Sequence, residues 1–193
     1  MLRLLTFALC TFCSATFAAN IAENSLDAGK VSAQSKPITL LGNGVEVSQQ
    51  APDFKVVNDS FSPITLADYK GQAVLISVVP SLDTGVCSIQ TKHFNEKVAE
   101  QFPNIVMLTI STDLPFAQKR FCKAENIDKV TTLSDSVWRD FGQNYGLIIK
   151  DMGLLTRAVF VLNSEHKIVY KQLVDDLSKE PNYEPVISAM KAL

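Results

Sequence analysis

The run Ala73–Val79 has the makeup of a strand buried on both faces: valine and isoleucine dominate, Gly71 precedes it and Pro80 closes it. Proline cannot continue a sheet ladder. Asp83 and Thr84, just beyond, are both candidate caps for a helix running to about Phe102, along which Val86, Ile89 or Gln90, Phe94, Val98 and Phe102 recur near helical spacing. A buried strand feeding straight into a helix is the building unit of α/β sheets, and it restricts the chain to that class. Cys87 falls in the first turn of the helix, at the carboxyl end of the strand, where open α/β sheets bind ligands. Helix starts present unpaired N–H groups and the positive end of the helix dipole, an environment in which a cysteine can be nucleophilic at neutral pH. A buried packing cysteine is the competing reading of the same position.

The rest of the chain keeps the alternation. A hairpin around Gly42, Asn43 and Gly44 comes first, then Ala73–Val79 and its helix, a strand Ile105–Ser111, a second helix and a short strand near Val130. A helix Val137–Tyr145, a strand pair from Ala158 to Val174 and a final helix complete the order. The pattern predicts one α/β domain with helices on both faces of a central sheet, and 193 residues at 47% hydrophobic content suit a single core. A formal charge of −2 without any lysine or arginine cluster argues against nucleic acid as a partner. His93 and His166 are far apart and lack metal-ligand spacing, so His93 reads as a solvated helix residue and His166 as a turn residue, and no metal is expected. Phe116, Phe121 and Trp138 read as packing residues, and Asp83 as a cap or a subunit contact.

The amino terminus has a different character. Met1–Ala18 combines Arg3, an uncharged apolar run from Leu4 and small residues before a cut after Ala18, the pattern of a secretory signal. An uncleaved membrane anchor is the rival, but the stretch Leu4–Ala19 falls short of the roughly 20 residues that span a bilayer comfortably. The expectation is an exported, periplasmic protein with no stable membrane insertion after cleavage, a flexible linker over residues 19–36 and a folded domain over 37–193. Cys10 and Cys13 form a C-x-x-C string inside the signal, so cleavage leaves Cys87 and Cys122 as the only possible intrachain disulfide. A static bridge between them would contribute on the order of 4 kcal/mol in the chain-entropy model. A working redox pair is the alternative, and the residues alone leave both open.

Pro80, Thr84 and Cys87 fill a pattern of Pro, three residues, Thr, two residues, Cys, which resembles the active-site loop of the thiol peroxidases, the atypical two-cysteine peroxiredoxins. Ser111–Cys122 (STDLPFAQKRFC) is similar to that family's resolving-cysteine segment, and Gln172–Glu184 (QLVDDLSKEPNYE) to its carboxyl-terminal stretch. Ala51–Phe54 resembles its early motif and Thr156–Val159 its arginine site, so the likeness runs from about Ile38 to the end. It implies a thioredoxin-like fold, a central mixed sheet flanked by helices with an N-terminal β-hairpin. By the same resemblance, Cys87 attacks the terminal oxygen of a hydroperoxide and becomes a sulfenic acid, and Cys122 condenses with it before oxidation climbs to the irreversible sulfinic acid. A thioredoxin-like donor then returns the electrons, no cofactor is bound, and the protein is a homodimer.

The resemblance also assigns the remaining site residues. Thr84 bonds the peroxide, a simple helix cap being its bland alternative. Pro80 shields the sulfur from water, and Arg157 steadies the thiolate and polarises the attacked oxygen, against the alternative of an arginine at a strand's solvent end. A disulfide needs its Cα atoms within about 7 Å, so the Cys87 and Cys122 helices are expected to unwind in part. The loop Ile148–Thr156 is a few residues shorter than the family's, which alters the pocket rim. Two non-peroxidase readings stand beside this one: a redox-responsive binding protein using the pair as a switch, and a non-catalytic domain with a structural disulfide.

Overall fold

The computed structural model describes residues 27–193, so the expected signal, with Cys10 and Cys13, and the start of the expected linker lie outside the described residues. In chain order the strands are β1 (Asp27–Ala33), β2 (Lys36–Leu41), β3 (Lys55–Val57), β4 (Pro63–Thr65), β5 (Ala73–Val78), β6 (Ile105–Ser111), β7 (Thr131–Ser134), β8 (Ile148–Ile149), β9 (Ala158–Leu162) and β10 (Ile168–Leu173). The helices are α1 (Gly85–His93), α2 (Pro115–Glu125), α3 (Asp140–Tyr145) and α4 (Tyr183–Lys191). Seven strands form a mixed sheet in the order β10-β9-β5-β6-β7-β3-β4, and β1, β2 and β8 form a small second sheet.

The strand β5 lies mid-sheet, parallel to β6 and antiparallel to β9. Its alternate residues serve two cores. Val74, Ile76 and Val78 join Leu108, Ile110, Phe160 and Leu162 beneath Phe141 and Tyr145 of α3. Leu75 and Val79 join Met107, Val159 and Val161 beneath Phe94, Phe121 of α2 and Val186 and Met190 of α4. Helices therefore cover both faces of a thioredoxin-like sheet, as the alternation of elements predicts. Burial on both sides is why the strand is apolar throughout rather than alternating.

Several local expectations are corrected. The hairpin turns at Gln34 and Ser35, both with positive φ (51° and 62°), as a two-residue turn whose backbone matches the twist of the strands. Residues 27–36, expected within a flexible linker, form β1 and this turn, and β2 takes up the chain from Lys36. Gly42 marks a close approach instead: a Cβ there would overlap the Gln143 carbonyl oxygen, to which the Asn43 N–H donates at 2.7 Å.

The helix expected to reach Phe102 is regular only to His93 and continues as a π turn over Phe94–Val98 and a 3-10 turn over Ala99–Gln101. There the buried Asn95 accepts from the N–H groups of Asp128, Lys129 and Val130, tying this helix to the chain entering β7. The third helix starts at Asp140 rather than Val137, because Arg139 has a left-handed backbone. Val137 and Trp138 are consequently exposed, with Lys55 Nζ 4.2 Å over the indole. Phe116 is also exposed and pairs with Phe61 at 5.1 Å, whereas Phe121 is core. His166 sits in the β9–β10 turn as expected, but His93 is half-buried and stacks on Tyr183 at 3.7 Å, and burial lowers its pKa.

Asp135, fully buried before α3, accepts from the N–H groups of Phe141 (3.1 Å) and Gly142 (2.9 Å). Burial pushes its carboxyl from 3.8 up to about 7. The folded protein then holds a proton that the unfolded chain gives up near 3.8, so the stability this group contributes is present below that value and is lost as pH rises through about 7. Stability should fall between pH 4 and 7 by at most about 1.4 kcal/mol per pH unit from this residue. Asp135→Asn should flatten that slope in calorimetric scans, and an unchanged slope would refute the assignment.

Candidate active site

The residues that make the site arrive from three places at one end of the sheet. Beyond Val78 the chain leaves β5 through the buried Pro80 and a loop gripped by the Asp113 carboxylate. That carboxylate accepts from Ser81 Oγ (2.7 Å), Leu82 N (2.7 Å) and Ser111 Oγ (2.8 Å). Thr84 follows with extended dihedrals (φ −109°, ψ 145°), and its carbonyl accepts from Ser88 N at 3.0 Å to close the first turn of α1. Its side chain makes no capping bond to the helix. Instead Thr84 Oγ1 donates to the Ser81 carbonyl at 2.9 Å, so its lone pairs remain available. Cys87, in that first turn, is completely buried.

Arg157 immediately precedes β9, whose antiparallel register sets Ala158 beside Val78 and Val159 beside Ser77. This register delivers the arginine to the end of β5 beside α1. It is only 1% exposed, which rules out the solvent-end reading. One terminal nitrogen, Nη1, donates to Gln90 Oε1 at 2.6 Å, and the other, Nη2, to Cys87 Sγ at 3.3 Å and to the Leu177 carbonyl at 3.0 Å. Gln90 is oriented in turn by donating to Ser77 Oγ at 2.8 Å. None of these acceptors is a carboxylate. A buried guanidinium is costly unless its donors are met, and its terminal nitrogens are met by two oxygens and the Cys87 sulfur. Arg157 Nε also lacks a hydrogen-bond partner among the described residues.

Pro80, Thr84, Cys87 and Arg157 line a common cavity of about 370 Å³ whose walls include Leu154 and Leu177, the exposed Met152, and Ala33 and Gln34 from the hairpin tip. Four of the five predicted site residues thus converge. Cys122 stands elsewhere: it is half-buried on α2, its sulfur 3.3 Å from Thr132 Oγ1 on β7, and it lines a separate cavity with Asn58, Asp59 and Lys119. Both thiols are free. The strand leading to Cys87 and the strand beneath Cys122 are two positions apart in the sheet, roughly 10 Å at the usual spacing. Burial pushes the Cys122 thiol up.

Gln90, Ser77, Asp113 and the Leu177 carbonyl are parts of the site that sequence reasoning missed. A buried glutamine on the core side of α1 was a signal of sorts, since Gln90 competes with Ile89 for a periodic position. A backbone carbonyl has no sequence signature at all. Among the described residues no group of three or more His, Cys, Asp and Glu side chains could hold a metal ion.

A family model described as Redoxin matches residues 46–187, three-quarters of the chain. The thiol peroxidase of Oceanobacillus iheyensis is 51% identical over 158 residues, covering 82% of this chain and 96% of its own. The chain belongs to the thiol peroxidases of the redoxin family. That of Bacillus subtilis is 50% identical over 157 residues, covering 81% of this chain and 93% of its own. Among solved structures, a peroxiredoxin-like protein from Aquifex aeolicus has a TM-score of 0.79 at 38% identity and covers 86% of this chain and 98% of its own. The thiol peroxidase from Chromobacterium violaceum has a TM-score of 0.77 at 16% identity, a likeness of fold. The chain is accordingly a peroxidase of the peroxiredoxin type.

The Asp113 grip generates a test independent of turnover. Asp113→Ala removes the acceptor for three donors and should destabilise the protein by about 3 kcal/mol in urea titrations. It should also slow iodoacetamide labelling of Cys87, and a stable variant with unchanged labelling would show that the loop holds without the carboxylate.

Proposed function

We propose that the enzyme reduces hydrogen peroxide and organic hydroperoxides, alkyl and lipid, through a Cys87 sulfenic acid that Cys122 resolves as an intrachain disulfide. The observation that carries this reading is the donation from Arg157 Nη2 to Cys87 Sγ at 3.3 Å at the floor of a largely apolar cavity. A hydroperoxide entering there meets the sulfur end-on. The Cys87 thiolate attacks the terminal oxygen, the S–O bond forms as the O–O bond breaks, and the departing oxygen leaves as water or an alcohol once protonated. Sulfur is oxidised by two electrons and the peroxide reduced by two. The guanidinium is placed to stabilise the charge that develops on oxygen. Thr84 Oγ1, its proton committed to Ser81, can accept from the hydroperoxide O–H, and the buried Pro80 keeps water from the sulfur.

Condensation of the sulfenic acid with the Cys122 thiol forms the S–S bond and releases water. The separate cavities of the two cysteines support a resolving step in which the start of α1 and part of α2 unwind to bring the sulfurs together. A thioredoxin-like dithiol donor then takes up the disulfide and returns two electrons, with no bound cofactor. A homodimer fits the exposed apolar side chains of Leu114, Phe116 and Phe61. Export to the periplasm follows the Met1–Ala18 pattern, and no helix among the described residues is long and apolar enough to cross a membrane.

Stopped-flow consumption of hydrogen peroxide and an alkyl hydroperoxide by the reduced protein tests the reading. Cys87→Ser should abolish the reaction, and Cys122→Ser should complete one turnover and stall with oxidised Cys87, visible by mass spectrometry. Arg157→Gln should lower the rate by about 10²- to 10³-fold, as expected for loss of a principal charge stabiliser. Rapid turnover that survives Cys87→Ser would overturn the assignment, and slow turnover with readily oxidised Cys87 would favour a redox switch.

A further inference from the structure

We infer that the β1–β2 hairpin is a positioning element of the catalytic centre, holding Arg157 against Cys87 through the backbone of Leu177. The inference rests on the proposed peroxidase reading only for what the sulfur reacts with. Ser32, near the end of β1, pairs with Pro37 of β2 along one edge. Along the other edge it binds the chain that follows β10: its N–H donates to the Asp175 carbonyl at 2.7 Å, and its carbonyl accepts from Leu177 N at 3.0 Å. Its hydroxyl adds a 3.1 Å bond to the same Asp175 carbonyl. Leu177 is thereby fixed at its amide by the hairpin while its carbonyl accepts from Arg157 Nη2 at 3.0 Å. That same nitrogen donates to Cys87 Sγ.

Side chains reinforce the backbone relay. Val31 and Leu40 of the hairpin, with Ile149, form a small core against which Leu154 and Leu177 pack. The guanidinium is therefore fixed on one side by Gln90, held from β5 through Ser77, and on the other by a carbonyl whose position depends on β1. Loosening the hairpin frees Leu177, and the Nη2 that bridges carbonyl and sulfur loses one of its two anchors. Loss of such a charge-assisted contact weakens the hold on the sulfur without removing any group that touches it.

A double-mutant cycle in the full chain tests this, with iodoacetamide labelling of Cys87 and single-turnover hydrogen peroxide reduction as readouts. Ser32→Pro removes both bonds to the Asp175 carbonyl, from the N–H and from the hydroxyl, and should slow both readouts by about tenfold, the effect of losing two neutral hydrogen bonds. In the Arg157→Gln background the same change should do almost nothing further, because the relay then has nothing to position. Val31→Ala, which loosens the packing on Leu177, runs through the same cycle in case Ser32→Pro does not fold. Effects that multiply in full with Arg157→Gln, or folded single variants with wild-type rates, overturn the inference. A chain that shows the coupling in labelling yet reduces no hydroperoxide supports the hairpin's role while removing the peroxidase reading.

Discussion

A guanidinium shut away from water costs the fold dearly unless its donors are met, and here, with no carboxylate among its hydrogen-bond partners in the described residues, its terminal nitrogens reach the Cys87 sulfur, an amide oxygen and a peptide carbonyl. The placement of Arg157 explains features that would otherwise be unrelated. It gives Gln90 a reason to be polar on the core side of α1, and Ser77 a reason to be polar inside β5. It also makes the conformation of residues 175–177, a loop by most measures, part of the chemistry. A lysine in its place would offer a single point charge and could not span the three acceptors at once.

The sheet supplies the precision. With β5 between a parallel and an antiparallel neighbour, the end of one strand and the start of another meet at the same edge, so Pro80 and Arg157 share a cavity wall although they are far apart in sequence. Asp113, at the end of β6, fixes the loop between them from a third strand. Each of these positions lies within two residues of a strand end, a framework suited to holding reacting groups in place. Cys122 is treated differently, carried on a helix in its own cavity, where movement costs less than disruption of the sheet would.

Much of this was legible in the residues. The buried run from Ala73, the stop at Pro80 and the helix that begins near Thr84 placed Cys87 correctly, because burial on both faces and a proline terminator are strong local signals. Arg157 stood out as a charge entering an apolar strand. What escaped was non-local or carried by the backbone. Gly42 and Gly44 look like the residues of a hairpin turn, whereas the actual turn uses Gln34 and Ser35, neither of which advertises positive φ. Residues 27–36 have the composition of a tether because Val31 is the one large apolar side chain among them, and it is Val31 that ties β1 to a core. Trp138 and Phe116 have the look of core residues because large aromatic side chains usually are, but the late start of α3 leaves the former at the surface.

In the proposed peroxidase cycle, the contact between Arg157 Nη2 and the Cys87 sulfur would also act as a gauge of sulfur oxidation. A thiolate balances the guanidinium; a sulfenic acid does so less well, and a disulfide sulfur carries no charge at all. Once Cys87 is oxidised in that cycle, Arg157 would be a buried cation whose hydrogen-bond partners among the described residues are all neutral, and the environment around the first turn of α1 would turn against it. In that proposed cycle the redox step would itself loosen the start of α1, so that departure of Cys87 from its pocket would be driven by the loss of its own charge rather than by any external signal.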